Sequence, residues 1–219
     1  MSTPGSTTTR THSLARRAAT AGLAGAIALG GFGALSTALD DAPAAAAEQK
    51  ASKNIVPINQ FGHGNATEET DCGPTAVVSS MLAQGKKPAK WNDNNPGPAI
   101  AKVRQDTGKQ GVTTNEDLVK ALKAQKAKAS TGGSLDDALK QVRSGKSAII
   151  NGFMDSLPYK YDYPNPHVGH WISVVDYDAK NKTYTVLDSN DGSKRTVKAD
   201  GFEQFQASEG QYATRVVVG

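Results

Sequence analysis

Apolar positions along the chain follow two different periods, and the change from one to the other falls near residue 147. In "DCGPTAVVSSML" the residues Val77, Val78, Met81 and Leu82 recur at helical spacing, and Pro74 suits a first turn, where its missing N–H costs nothing. The pattern predicts a helix that starts at Cys72 or Gly73 and stops near Gly85. "AIAKVRQDTG" predicts a second, short helix. Two capping-box patterns, Thr113 with Glu116 and Ser134 with Asp137, predict helices over Asn115 to about Lys126 and Leu135 to about Ser144. Beyond them "SAIINGFM", "HWISVVDYD", "TYTVLDS", "KRTVKA" and "YATRVVV" are short β-rich runs, and "AKNK" has hairpin chemistry. Upstream of the first helix, "NIVPINQFG" reads as extended and "HGNATEETD" as a loop. Helices followed by strands predict an α+β domain with an antiparallel sheet, with no internal repeat or linker within residues 48–219.

The N-terminal stretch reads differently. Arg10, Arg16 and Arg17 precede the acid-free run "AATAGLAGAIALGGFGALSTAL", and Ala45 and Ala47 supply a small-residue cleavage site. Residues 1–47 are therefore expected to be a secretory signal peptide, with the mature chain starting near Glu48. The run's Gly and Ala content argues against a lasting membrane anchor; Arg16-Arg17 leaves twin-arginine export open. The expected localisation is extracellular.

Charge narrows the function classes. Without residues 1–47 the chain keeps 22 basic and 19 acidic side chains, a formal +3. It has no arginine or lysine block and no basic–aromatic interleaving, so nothing points to nucleic acid. "KALKAQKAKAS" reads as the solvated face of a helix. A single cysteine excludes an internal disulfide, so packing alone must stabilise the domain outside the cell.

That cysteine, Cys72, admits four readings. A lipid anchor needs a small apolar box, and "EETD" stands in its place. An interface disulfide gives no reason to open a helix before Gly-Pro. A buried inert thiol and a nucleophile stay open. Three features favour the nucleophile: a sulfur at a helix N-terminus, where the dipole favours thiolate; His170 opening a strand; and Asp188 ending the next strand across a hairpin, within reach of the far ring nitrogen.

Taken in order, "DCGPTAVVSSML", "GHWISVVDYD" and "YTVLDSNDG" resemble papain-like cysteine peptidases of the type that includes bacteriocin double-glycine leader-processing domains. The resemblance spans most of residues 55–206 and takes in "KSAII" and "DGFEQF". It implies a papain-like fold in which Cys72 is the nucleophile, His170 the base and Asp188 its orienter. It also implies a glutamine upstream of the cysteine as oxyanion donor, and Gln60 in "INQFG" matches by context. The separation of Gln60 from Cys72 is longer than in the leader-processing domains, as if "HGNATEET" were an inserted loop.

The remaining candidates surround this set. His63 reads as a loop residue. His167 and His170 form an H-x-x-H pair, but the pair is not on a helix and lacks further ligands, so no metal is expected. The loop "MDSLPYKYDYPNPHVG" carries Tyr159, Tyr161 and Tyr163, which with His167 and Trp171 are candidates to line a substrate groove; packing of the tyrosines onto the sheet is the alternative. The sequence thus predicts a monomeric, exported thiol hydrolase, a peptidase acting on a peptide or protein without a cofactor. An acyl transferase using the same triad, or a silent binding or toxin-like module on the same fold, are the alternatives.

Overall fold

The helices form where the sequence supplies both an apolar stripe and a start signal. They are α1 (Cys72–Ala83), α2 (Gly97–Thr107), α3 (Asn115–Ala124), α4 (Leu135–Arg143) and α5 (Ala199–Ser208). The computed structural model describes residues 55–162, 164–210 and 214–219, all of which fall in the contact unit Pro43–Gly219. The signal peptide expected over residues 1–47 lies outside them. Ser134 caps α4 as expected, its hydroxyl accepting from Asp137 N–H at 3.1 Å. The α3 cap sits one residue later than the pattern suggested. Thr114, not Thr113, accepts from Asp117 N–H, and Asp117 in turn accepts from Thr114 N–H at 3.0 Å. Thr113 is drawn away to pack its hydroxyl against Gly73.

The strands are β1 (Ala129–Thr131), β2 (Ser147–Phe153), β3 (Gly169–Asp178), β4 (Thr183–Asp188), β5 (Ser193–Val197) and β6 (Arg215–Val218). They form one antiparallel sheet in the order β1-β6-β2-β3-β4-β5. Asp178 accepts from the backbone N–H groups of Lys180 and Asn181 at 2.9 and 3.1 Å and so closes the β3–β4 hairpin. The sequence pattern did not resolve β1 or α5. β1 is only three residues long, and α5 has its apolar anchors at Phe202 and Phe205 alone.

The helices also do not share one layer. Alternating side chains of the sheet feed two cores. Ile149, Trp171, Val216 and Val218 pack with α1, α2 and α3, whereas Ile150, Ile172 and Val174 pack with α4 and α5 on the other face. α1 is therefore buried nearly all round, and Ser173 fastens it to β3 by donating to Ala76 O at 2.9 Å. Fully burying one such Val, Ile or Phe is worth about 1.5–3 kcal/mol. α5 lies directly on β2 at Gly152, where a Cβ would stand 2.2 Å from Phe205 O, so only glycine lets the helix approach.

Candidate active site

The segment before α1 fixes where the thiol sits. Asp71 is fully buried and turns its carboxylate inward. It accepts from Arg104 Nε at 2.8 Å and from Thr67 Oγ1 at 3.0 Å. Arg104, itself buried, also donates to Gly111 O at 2.6 Å and to Thr70 O. Burial pushes the Asp71 carboxyl up, and the Arg104 guanidinium only partly offsets this. The ion pair pins the turn preceding Cys72 to α2. On the other side of the thiol, a Cβ on Gly73 would stand 2.3 Å from Thr113 Oγ1, so glycine is what lets the α3 entry close over α1. Cys72 is left half-buried at the helix N-terminus.

Register brings the imidazole and the carboxylate together. His170 pairs with Gly152 across β2–β3, and Ile172 pairs with Asp188 across β3–β4. His170 and Ile172 share a face, so Asp188 is the diagonal neighbour of His170, within reach of its ring. His170 Nε2 lies 2.8 Å from Asp188 Oδ1, and both residues are buried. With Nε2 committed, Nδ1 is the nitrogen left for Cys72, whose thiol hydrogen-bonds the ring.

The electrostatics follow from that chain of contacts. Burial raises the Cys72 thiol, but the hydrogen bond and charge of His170, with the N–H groups of Trp171 and Gly73, outweigh it and hold the thiol below its ordinary value. Burial opposes a charged imidazole, yet Asp188 and Cys72 push His170 up to about 10. Burial also raises Asp188, but His170, Tyr161 and Asn190 N–H bring it down to about 2. These shifts all favour the thiolate, imidazolium and carboxylate forms of the three groups. Alkylation of Cys72 by iodoacetamide should therefore set in at lower pH than ~8.5, the midpoint of a free thiol. A rate that rises only around that pH would remove the physical basis for a nucleophile here.

Gln60 reaches this region from behind. Its backbone N–H donates to Ser189 O at 2.8 Å, its Oε1 accepts from Ser189 Oγ at 2.9 Å, and its Nε2 donates to Glu68 O at 2.8 Å. It is buried and does not line the cleft holding Cys72 and His170. The loop between Gln60 and Cys72 is gathered by Glu68, whose carboxylate accepts from Gly62, His63 and Asn65 N–H at 3.1, 2.6 and 3.2 Å. These bonds, led by that from Gly62, lower its pKa. The extra residues thus fold onto themselves while Gln60 stays tied to the turn before α1. His63 belongs to this loop, its ring on Asn59 O at 2.8 Å.

The cleft beside the thiol holds about 580 Å³, with Trp171, Phe153 and Thr113 among its walls. Trp171 is buried and donates to Thr113 O at 3.3 Å, so it is a fixed wall as well as a core residue. Glu69, Glu116 and Glu209 also line the cleft, and no lysine or arginine does among the described residues. Tyr159 and Tyr161 do not line it, which corrects the expectation of a tyrosine wall. Their hydroxyls donate to Asp188 Oδ2 at 2.9 and 2.5 Å, because the buried carboxylate needs donors more than the cleft needs a wall. Burial, then the charge of Asp188, raises Tyr159 well above its ordinary value, so it stays a donor. His167 is exposed, stacks on Phe153 at 4.1 Å and meets Asp155 Oδ2 at 2.8 Å; it is not a wall residue either. Tyr163 lies outside the described residues. Asp71, Arg104 and Ser189 were missed from the sequence.

No curated protein matches the chain. Among solved structures it is similar to the peptidase domain of Streptococcus ComA, a bifunctional ABC transporter involved in a quorum-sensing pathway. That match has 16% identity and a TM-score of 0.46, covering 75% of this chain and 98% of that one. It is also similar to a C39-like peptidase from Bacillus anthracis, at 17% identity and a TM-score of 0.47, covering 76% of this chain and 95% of that one. Residues 52–216 match the Peptidase_C39-like family, and a match of that extent carries with it the papain-like α+β fold: the chain belongs to this family.

Proposed function

We propose that the protein is an exported cysteine peptidase acting through Cys72, His170 and Asp188. The observation that carries the reading is the unbroken chain from the Cys72 thiol through the His170 ring to Asp188 Oδ1, with 2.8 Å between His170 Nε2 and the carboxylate. The Cys72 thiolate attacks the carbonyl carbon of a peptide bond. The oxyanion is met by the Cys72 N–H; Gln60, expected from the sequence as its second donor, faces Glu68 and Ser189 instead. Imidazolium His170 gives its Nδ1 proton to the leaving amine, and the C–N bond breaks to leave a thioester. Neutral His170 then takes a proton from water as the water oxygen attacks the thioester. Collapse releases the new carboxylic acid and restores thiolate and imidazolium.

Export rests on the basic, apolar and small-residue order of residues 1–47. The substrate side of the reading rests on the cleft. Apolar walls and three glutamates favour peptides that carry lysine or arginine near the scissile bond over acidic ones.

Profiling the chain from Glu48 onward against a peptide library tests both parts. The expected result is cleavage that disappears in Cys72→Ala and is biased toward basic peptides. Cleavage that survives Cys72→Ala would overturn the mechanism, and a bias toward acidic peptides would overturn the reading of the cleft.

A further inference from the structure

Asp188 is bonded on both carboxylate oxygens. Its Oδ1 faces His170 Nε2 at 2.8 Å and accepts from Asn190 N–H at 2.9 Å, while its Oδ2 accepts from Tyr159 and Tyr161. A carboxylate has about four acceptor positions, and all are used. Both tyrosines come from the loop that joins β2 to β3, far from Asp188 in sequence. The loop is built to present them. Asn165 Nδ2 donates to Met154 O at 2.8 Å and to Tyr159 O at 3.3 Å, and Asn165 Oδ1 accepts from Tyr161 N–H at 3.3 Å. The two rings meet edge to face at 6.3 Å, and the Arg195 guanidinium lies over them at 4.5 and 5.5 Å from their centres. Arg195 is held in turn by Asp191. The loop is therefore clasped from both ends, with two hydroxyls aimed at one oxygen.

We propose that Tyr159 and Tyr161 are positioning residues: by filling Oδ2 they keep Asp188 ionised and in one rotamer, so that Oδ1 holds the His170 ring aligned to Cys72. The inference rests on reading Cys72, His170 and Asp188 as the triad. A carboxylate buried without donors neutralises or rotates away, and either change frees the imidazole. Two phenol donors prevent both. The loop then completes the triad from behind, and its docked state is a condition for activity.

The test uses Tyr159→Phe and Tyr161→Phe, singly and together, in the full chain. Each single change should lower kcat by roughly 10-fold, the loss expected for one hydrogen bond to a charged group, with KM unchanged. Independently of turnover, the imidazole of His170 followed by NMR should titrate at lower pH in each variant, because the anion that stabilises imidazolium is weakened. Wild-type kcat and an unmoved His170 titration in both single variants would overturn the proposal. A rise in KM at constant kcat would also overturn it and restore the tyrosines as substrate contacts. Tyr159 is only half-buried, so its variant remains readable if Tyr161→Phe does not fold. If the wild type cleaves no peptide, the proposed reaction fails while the NMR titration still decides the role of the tyrosines.

Discussion

His170→Ala should abolish turnover and move the alkylation of Cys72 to higher pH than in the wild type. The direction follows from the balance at the sulfur. Burial raises the thiol, and His170 supplies the hydrogen bond and charge that overcome it. Without the ring only the burial penalty and the backbone N–H groups remain. Asp188→Asn should leave a folded protein whose turnover falls by ~10-fold to 10⁴-fold, the upper end corresponding to an imidazole held in the wrong tautomer. The losses should not add, since the three side chains act as one unit. His167→Ala and His63→Ala should leave the thiol's pH profile where it is, because their rings rest on Asp155 and Asn59 O. An inactive His167 variant beside an active His170→Ala would show that the base is the other histidine of "HVGH".

The second large effect is on stability. Arg104→Ala should lower the unfolding free energy by about 3–5 kcal/mol, the cost of leaving one member of a buried ion pair without its partner. Asp71 would keep only the Thr67 hydroxyl among its strong side-chain donors, and Gly111 O and Thr70 O would lose theirs as well. The pH dependence has a definite sign. Burial already holds the folded Asp71 carboxyl above its unfolded value, and removing Arg104 raises it further. The deficit should thus be largest at the high-pH end and shrink as pH falls through the variant's folded Asp71 value towards the wild-type one, both of which lie above the unfolded ~3.9. Urea unfolding at neutral and acid pH measures it. A deficit below about 1 kcal/mol at neutral pH would mean that the pair is solvated after all.

What was legible in the sequence was local. Cys72 announced itself through Gly73-Pro74 and the helix behind it, His170 and Asp188 through the strands that carry them, and the hairpin fixed their neighbourhood. The α3 cap was misplaced by one residue because Thr113 and Thr114 both fit the pattern, and only the packing of Thr113 against Gly73 decides between them. Contacts between residues far apart in the chain were not legible. Nothing near Asp71 names Arg104 as its partner, and nothing near Asp188 names Tyr159 or Tyr161. These contacts hold the segment before Cys72 and the Asp188 carboxylate, so sequence alone named the candidate groups but not what holds them.

The place of β6 dictates when the domain can fold. Arg215–Val218 wedges between β1 and β2, which do not pair with each other, and its Val216 and Val218 join the core that seats the helix bearing Cys72. The strands β2–β3–β4–β5 can pair among themselves as hairpins, but the helix bearing Cys72 has no finished core until β6 has joined them. Pairing over such a span is slow, and it fixes the order of events. The surroundings of the thiol are therefore completed only when residues 215–218 have paired, so a copy lacking them does not present the finished cleft.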